Sequence, residues 1–122
     1  MGHNQDRLMA RDAIDLVHLA RYTGGDPALN AEILRLFDGQ ARELVDRLQS
    51  ILDARDARSW REVTHTLKGA ARGVGAFGLG DAAAAAEPID PSNDLSTASA
   101  ALLDLQDKTG AVLSFISSYL AA

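Results

Sequence analysis

The chain has 122 residues, which is the size of one domain with a single hydrophobic core. Its 17 acidic and 12 basic residues give a net charge of −5, so a nucleic acid is disfavoured as the main partner. The chain contains no cysteine, which excludes a disulfide framework and a thiolate metal site. Few aromatic residues and many alanines and leucines favour packed helices over sheets.

The N-terminal residues 1–12 are polar and lack regularly spaced apolar residues, so we predict a flexible tail or the first loose turns of a helix there. No apolar run in the chain reaches the roughly 18 residues of a membrane span. The N-terminus also lacks the pattern of a signal peptide. We therefore expect a cytoplasmic protein with no membrane partner.

The next part of the chain predicts a short helix followed by a long one. The short helix covers residues 14–23 and ends at Gly24-Gly25. Asp26-Pro27 begins the second helix, because aspartate is a favoured N-cap and proline suits the first helical position. Apolar residues then recur at steps of three and four, and they predict a helix that continues to about Ala54.

The third helix is predicted over roughly residues 57–75, with Asp56 or Ser59 as its N-cap. Its short connection to the second helix predicts an antiparallel pair. Closely spaced glycines follow, and they indicate that the chain loosens there. A short alanine-rich helix is predicted next, over residues 82–87 with Asp81 as its cap.

The last helix is predicted to begin after Asp94 or Ser96 and to continue to Leu120, with apolar residues at heptad-like spacing. Gly110 is a weak point within it, but the apolar pattern continues through that residue. Together these elements predict an all-α fold over residues 13–122. The expected architecture is an antiparallel four-helix bundle with an additional short N-terminal helix.

One residue of the third helix, His65, lies opposite the apolar stripe when the sequence is laid out at about 100° per residue. The stripe consists of Trp60, Val63, Leu67, Ala70, Ala71 and Val74. The side that carries His65 has no large apolar residue, and it consists of Arg58, Arg61, Glu62, Lys68, Gly69 and Arg72. We therefore predict an imidazole that stands in solvent beside a cluster of cations.

An exposed histidine in this setting is typical of a reactive group rather than of a packing residue. A neutral imidazole nitrogen is a nucleophile, and nearby cations offset the charge of an incoming phosphoryl group. Lys68 lies one turn further on and is within reach of such a group. Gly69 costs the helix about 1 kcal/mol relative to alanine, which favours a functional reason for it. We predict that Gly69 opens a gap where another protein approaches His65.

The run His65-x-Leu67-Lys68-Gly69, followed by Gly75, resembles the signature of histidine-containing phosphotransfer (HPt) domains. In that family the histidine receives a phosphoryl group from a receiver-domain aspartate and passes it to another. The resemblance makes His65 the phosphoryl acceptor and donor, and Lys68 the residue that stabilises the phosphoryl group. It makes Gly69 the small residue that admits the receiver, and Gly75 the glycine near the end of the same helix.

The sequence departs from the family pattern at Ala70-Ala71, where many members carry serines. These positions face the bundle by the helical count, so the departure affects the predicted chemistry little. The resemblance implies a phosphorelay protein whose partners are receiver domains of a hybrid histidine kinase, a response regulator or both. It implies no cofactor and no metal on this chain, with magnesium held by the receiver. We expect a monomer.

The sequence has no P-loop, and it is too short for the ATP-binding domain of a kinase. We therefore expect a phosphocarrier without ATP-dependent kinase activity. The receiver is predicted to contact the surroundings of His65 and apolar side chains of the first two helices. The candidate contact residues are Gly69, Arg61, Arg72, Leu16, Leu19 and Leu29. For Arg58 a plain solvated charge is the better interpretation, and Trp60, Phe77 and Tyr22 are interpreted as core or rim packing.

Two other functions are alternatives to phosphotransfer. A binding-only module that regulates a receiver or kinase predicts the same surface but tolerates replacement of His65. Metal-dependent hydrolysis is disfavoured, because His3, His18 and His65 lie on separate segments without ligand spacing. His18 is most simply a partly exposed surface residue. Without the resemblance, His65 is itself compatible with a surface histidine whose basic neighbours are incidental.

Overall fold

The computed structural model describes residues 13–122, and this part of the chain is helical, without strands. Five helices lie wholly within it. They are α1 (Leu16–Thr23), α2 (Pro27–Ala54), α3 (Ala57–Val74), α4 (Phe77–Ala86) and α5 (Leu95–Ala121). Over the described residues, no helix combines the length and the apolar character needed to cross a membrane. The tail predicted over residues 1–12 lies outside the described residues.

Aspartate side chains begin four of the five helices. The N-caps of α1, α2, α3 and α5 are Asp15, Asp26, Asp56 and Asp94, and each accepts hydrogen bonds from backbone N–H groups of the first turn. Gly24 and Gly75 end α1 and α3 in the left-handed conformation, as does Arg55 at the end of α2. The predicted bounds of α2 are confirmed, and those of α3 agree to within one residue, because these start and stop signals are local.

Four helices pack in a closed ring, in which α2 contacts α3, α3 contacts α4, α4 contacts α5, and α5 returns to α2. The shorter α1 packs against α2 and α3. The ring surrounds one apolar core, whose largest fully buried side chains include Trp60, Leu34, Leu48, Leu67, Leu105 and Ile116. The prediction of an all-helical bundle is confirmed at this level.

A buried polar network fastens α1 to the ring. The Thr23 hydroxyl lies 2.6 Å from the Asn30 side-chain oxygen, and the Asn30 amide donates to the Tyr119 hydroxyl at 3.2 Å. Thr23 and Asn30 are both buried. Because buried polar groups are costly without partners, these three residues fix how α1, α2 and α5 meet.

The structure corrects the prediction for α4, which begins at Phe77 and not at residue 82. Asp81 therefore lies inside the helix and does not cap it. The early glycines are accommodated by close packing, since Leu79 and Gly80 are buried and the Arg72 side chain crosses Gly80. A Cβ atom at Gly80 would lie 2.9 Å from the Arg72 Cγ. Helix α1 also begins two residues later than predicted, because Asp15 is its N-cap.

Candidate functional site

His65 lies near the middle of α3 and projects from the face opposite the core. Its side chain is 68% exposed. On the opposite face, Trp60, Val63, Leu67 and Ala71 are buried. The predicted exposure of His65 is therefore confirmed, and it follows from the strong separation of apolar and polar residues around this helix.

A carboxylate from another helix lies beside His65. Glu87, directly after α4, places its Oε1 atom 3.2 Å from His65 Nδ1 and 2.8 Å from Lys68 Nζ. The side chains of Lys68 and Glu87 are each only about one quarter exposed, at 23% and 24%. The hydrogen bond from Lys68 holds the pKa of Glu87 below its ordinary value; partial desolvation opposes this effect and the contact with His65 adds to it.

The end of α4 is fixed against α3 by a buried hydrogen bond. The indole Nε1–H of Trp60 donates to the backbone carbonyl of Ala86 at 2.9 Å. Trp60 is fully buried, and Ala86 immediately precedes Glu87. The same side chain that fills the core therefore also sets the position of the carboxylate beside His65.

The prediction of a cluster of cations beside His65 needs correction, because acidic side chains lie next to these cations. Besides Lys68 with Glu87, the structure pairs Arg58 with Glu62 at 3.1 Å and Arg72 with Asp81 at 3.6 Å.

Arg61 also has an acidic neighbour. Hydrogen bonds from Ser92 lower the pKa of Asp90, and the charge of Arg61 adds to that effect. The side of α3 that carries His65 is thus a surface of paired charges. Three of the acids, Asp81, Glu87 and Asp90, come from α4 or the chain after it, so no spacing along α3 could have revealed them.

The two glycines of the predicted motif have different surroundings. Apart from its chain neighbours and the backbone of its own helix, a Cβ atom at Gly69 would meet nothing within 4 Å, so the predicted gap on the side of His65 is open. Gly75 has φ of 90°, and a Cβ atom there would lie 2.7 Å from the backbone oxygen of Asp15. The Asp15 N–H donates to the Gly75 carbonyl at 2.9 Å. Gly75 therefore allows the backbone before α1 to pack closely against the end of α3, whereas Gly69 leaves room next to the imidazole.

The predicted apolar contact residues lie in different environments. Leu19 is 1% exposed and belongs to the core, so its prediction as a partner contact is wrong. Leu29 is 37% exposed. Leu16 is half-buried and lines a groove of about 660 Å³, which also includes Gly75. Gly75 lies ten residues beyond His65, about 15 Å along the helix axis, so this groove is separate from the histidine.

The other histidine of the described range, His18, does not join the site. It is half-buried and makes edge-on contacts with Tyr22 and Phe77, with ring centroids 5.6 and 5.0 Å away. Tyr22 is 67% exposed and Phe77 is 40% exposed, so both lie at the rim rather than in the core. His3 lies outside the described residues. Over residues 13–122, no group of three histidine, aspartate or glutamate side chains is arranged to hold a metal ion.

The arrangement at His65 suits chemistry at a single ring nitrogen. Nδ1 faces the Glu87 carboxylate, whereas Nε2 makes no hydrogen bond to another group of residues 13–122. A neutral imidazole whose Nδ1 carries the proton has its lone pair on Nε2. The site therefore presents an exposed nucleophilic nitrogen, with an ammonium group and an open gap at its side.

Comparisons with known proteins agree with this chemistry. A family model described as Hpt domain matches residues 32–114, which is more than half of the chain and includes His65, Lys68 and Glu87. A search of curated proteins found no match, and neither did a search of solved structures. Hpt domains are phosphocarriers rather than kinases, and they serve histidine phosphotransfer in phosphorelays. The chain belongs to the Hpt domain family.

Proposed function

We propose that this protein shuttles a phosphoryl group between receiver-domain aspartates, and that His65 Nε2 carries the group. The observation that supports this most directly is the 68% exposure of the His65 side chain, which lies within the part of the chain that matches the family. Gly69 leaves open space on the same side of the helix. A protein surface that delivers an aspartyl phosphate has room to reach the imidazole there.

The transfer conserves atoms and charge without any further reactant. The Nε2 lone pair attacks the phosphorus of the aspartyl phosphate, the phosphorus–oxygen bond breaks, and its electron pair returns to the aspartate. In the second transfer, an aspartate oxygen attacks the phosphorus and the phosphorus–nitrogen bond breaks. Lys68, 2.8 Å from Glu87 at rest, is placed to follow the negative charge of the phosphoryl group. Magnesium and a lysine of the receiver neutralise the remaining charge, as the family resemblance implies.

The partners we propose are receiver domains of a hybrid histidine kinase, a response regulator or both. Their contact surface is centred on His65 and Gly69 and includes Arg61 and Arg72. We also infer that neighbouring helices of the ring run antiparallel, because only two residues connect α2 to α3 and two connect α3 to α4. A monomer with one such face suffices for this function.

The test is to incubate the protein with a panel of phosphorylated receivers and to follow acid-labile label. The variants are His65→Gln and, as a matched control, His18→Gln, which changes the histidine that lies beside Tyr22 and Phe77. Wild type and His18→Gln are expected to accept label, and His65→Gln is expected to accept none while remaining folded. Label on folded His65→Gln, or none on wild type with any receiver, would contradict the proposal.

A second candidate function is a binding-only regulator of a receiver or kinase. The observation that favours it is the ion pair between Lys68 and Glu87, because the cation that a phosphoryl group requires already has an anionic partner. This candidate predicts that His65→Gln still binds and regulates a receiver as wild type does. Binding measured by calorimetry beside the labelling assay separates the two functions.

A further inference from the structure

We propose that Arg72, whose side chain lies across Gly80 of α4, binds an acidic side chain of the receiver domain and so selects among receivers. The inference rests on the proposed function and deepens it, because it names the chemistry that a partner needs at one point of its surface. Arg72 lies two turns beyond His65 on α3, about 20° around the helix and about 10 Å along it. A standard protein contact covers about 800 Å² on each partner, a patch roughly 16 Å in radius, so a receiver centred on His65 also reaches Arg72.

The first step is that α4 holds the stem of Arg72 in place. A Cβ atom at Gly80 would lie 2.9 Å from the Arg72 Cγ, 3.6 Å from its Nε and 3.7 Å from its Cδ, so a side chain at residue 80 would displace the arginine. Glycine costs a helix about 1 kcal/mol relative to alanine, and after Asp81 the same helix consists of alanines. The arginine therefore lies along α4 before a partner arrives, and less side-chain entropy is lost on binding.

The second step is that the guanidinium group of Arg72 is less engaged than two other cations of α3. It approaches Asp81 at 3.6 Å, which is too long for a hydrogen bond, and its side chain is 47% exposed. Lys68 lies 2.8 Å from Glu87, and Arg58 donates to a carboxylate of its own helix at 3.1 Å. The Arg72 donors thus remain available, in a planar fork that fits a carboxylate.

The third step is that the charge at Arg72 discriminates between partners. The chain has a net charge of −5, so a receiver of net negative charge is repelled except where a cation faces it. A receiver with a carboxylate opposite Arg72 gains a charge-assisted hydrogen bond, whereas one with lysine or arginine there meets like charge. A receiver with an apolar residue there covers the guanidinium group and leaves it unpaired. Selection by charge therefore takes place away from the transferred phosphoryl group.

The test measures how fast a phosphorylated receiver labels the protein, at varied receiver concentration. The fits give a maximal rate and a half-saturating receiver concentration for each variant. Arg72→Gln removes the charge and keeps most of the stem. The matched control is Arg58→Gln, because Arg58 lies two turns before His65, at the same distance, and its side chain is 89% exposed. Gly80→Ala keeps the charge but places a Cβ atom where the arginine stem lies, and Asp81→Ala removes the acid near the guanidinium group.

Arg72→Gln is expected to raise the half-saturating receiver concentration by about three- to tenfold with little change in the maximal rate, the effect of losing one partly exposed charged contact. Gly80→Ala is expected to raise it by a smaller factor, and Arg58→Gln and Asp81→Ala are expected not to raise it. The acids on the contact face of the receiver are also replaced by amides, one at a time. One of these receiver variants is expected to abolish the difference between wild type and Arg72→Gln.

An unchanged half-saturating concentration in Arg72→Gln or in folded Gly80→Ala would overturn the inference. An equal increase in Arg58→Gln would overturn it by showing a general effect of net charge, and an equal increase in Asp81→Ala would do so by showing a structural role of the ion pair. A difference that persists with every receiver variant would also overturn it. Arg72→Gln decides the matter if Gly80→Ala does not fold. Failure of wild type to accept label from any receiver would contradict the proposed function itself, and this inference with it.

Discussion

The open space at Gly69 leads to a prediction that separates stability from phosphotransfer. A Cβ atom at Gly69 or at Gly73 would meet nothing within 4 Å, and both glycines are exposed on α3. Replacing either by glutamine, a good helix former, is expected to stabilise the fold by about 0.5 kcal/mol. For a domain of this size that corresponds to a rise in Tm of about 2 °C.

The two substitutions are expected to differ in their effect on transfer. Gly69 lies about 40° around the helix and about 6 Å along it from His65, whereas Gly73 lies about 80° around and about 12 Å along. A glutamine side chain at residue 69 therefore occupies the space through which a receiver approaches His65. Overfilling a packed contact costs about 1–3 kcal/mol, which corresponds to a fall in transfer rate of about five- to a hundred-and-fiftyfold.

The assay compares thermal unfolding with the rate at which a phosphorylated receiver labels each variant. Gly69→Gln is expected to melt at least as high as wild type and to accept label at least about fivefold more slowly. Gly73→Gln is expected to show the same stabilisation with little change in rate. Equal rates in the two variants would refute the role of Gly69 as the point of approach. A lower Tm for Gly69→Gln would show that the space is not open.

Three further predictions concern the fold that supports the site. Gly75→Ala is expected to destabilise the protein by about 2 kcal/mol or more, because alanine is strained at positive φ and its Cβ would press on the Asp15 backbone. The control is Gly110→Ala, at a helical position with open space around it, and equal melting temperatures of the two variants would contradict this account. Asn30→Ala is expected to lower stability by about 1–3 kcal/mol in urea titrations, since it leaves the Thr23 and Tyr119 hydroxyls without their shared partner; an unchanged midpoint would show that the network is dispensable. Hydrogen bonds from Ser59 lower the pKa of Asp56 in the folded state, so the stability that Asp56 contributes is present above the unfolded pKa of about 3.9 and is lost as the pH falls through the lower folded value. Thermal melts should show Asp56→Ala less stable than wild type at neutral pH and equal to it in strong acid. A difference in Tm that persists in acid would exclude this cause.

The helices that could be predicted from the sequence are those whose boundaries are marked locally. Asp26-Pro27 begins α2, and Asp56 and Asp94 begin α3 and α5, with apolar residues at regular spacing after each. The start of helix α4 could not be predicted in this way, because the closely spaced glycines there indicate a chain that loosens. Packing overrides that weak propensity, since Gly80 lets the Arg72 side chain lie against the helix.

The candidate site divides in the same way. The exposure of His65 and the open space at Gly69 follow from positions along one helix, so the sequence was sufficient for both. Glu87 could not be foreseen, because its place beside His65 depends on how α4 meets α3. The burial of Leu19 was also missed, since a short amphipathic helix does not indicate which of its leucines faces the core. Both features depend on contacts between helices, which the local pattern of residues along one helix does not reveal.

The single exposed imidazole on α3 has a kinetic consequence under the proposed function. One histidine with one open side accommodates one receiver at a time, so the donor must depart before the acceptor docks. Steady-state kinetics are therefore expected to be of the ping-pong type, with parallel lines in double-reciprocal plots. An excess of either unphosphorylated receiver then competes for the same surface, and the cellular ratio of the two receivers sets the flux through the relay.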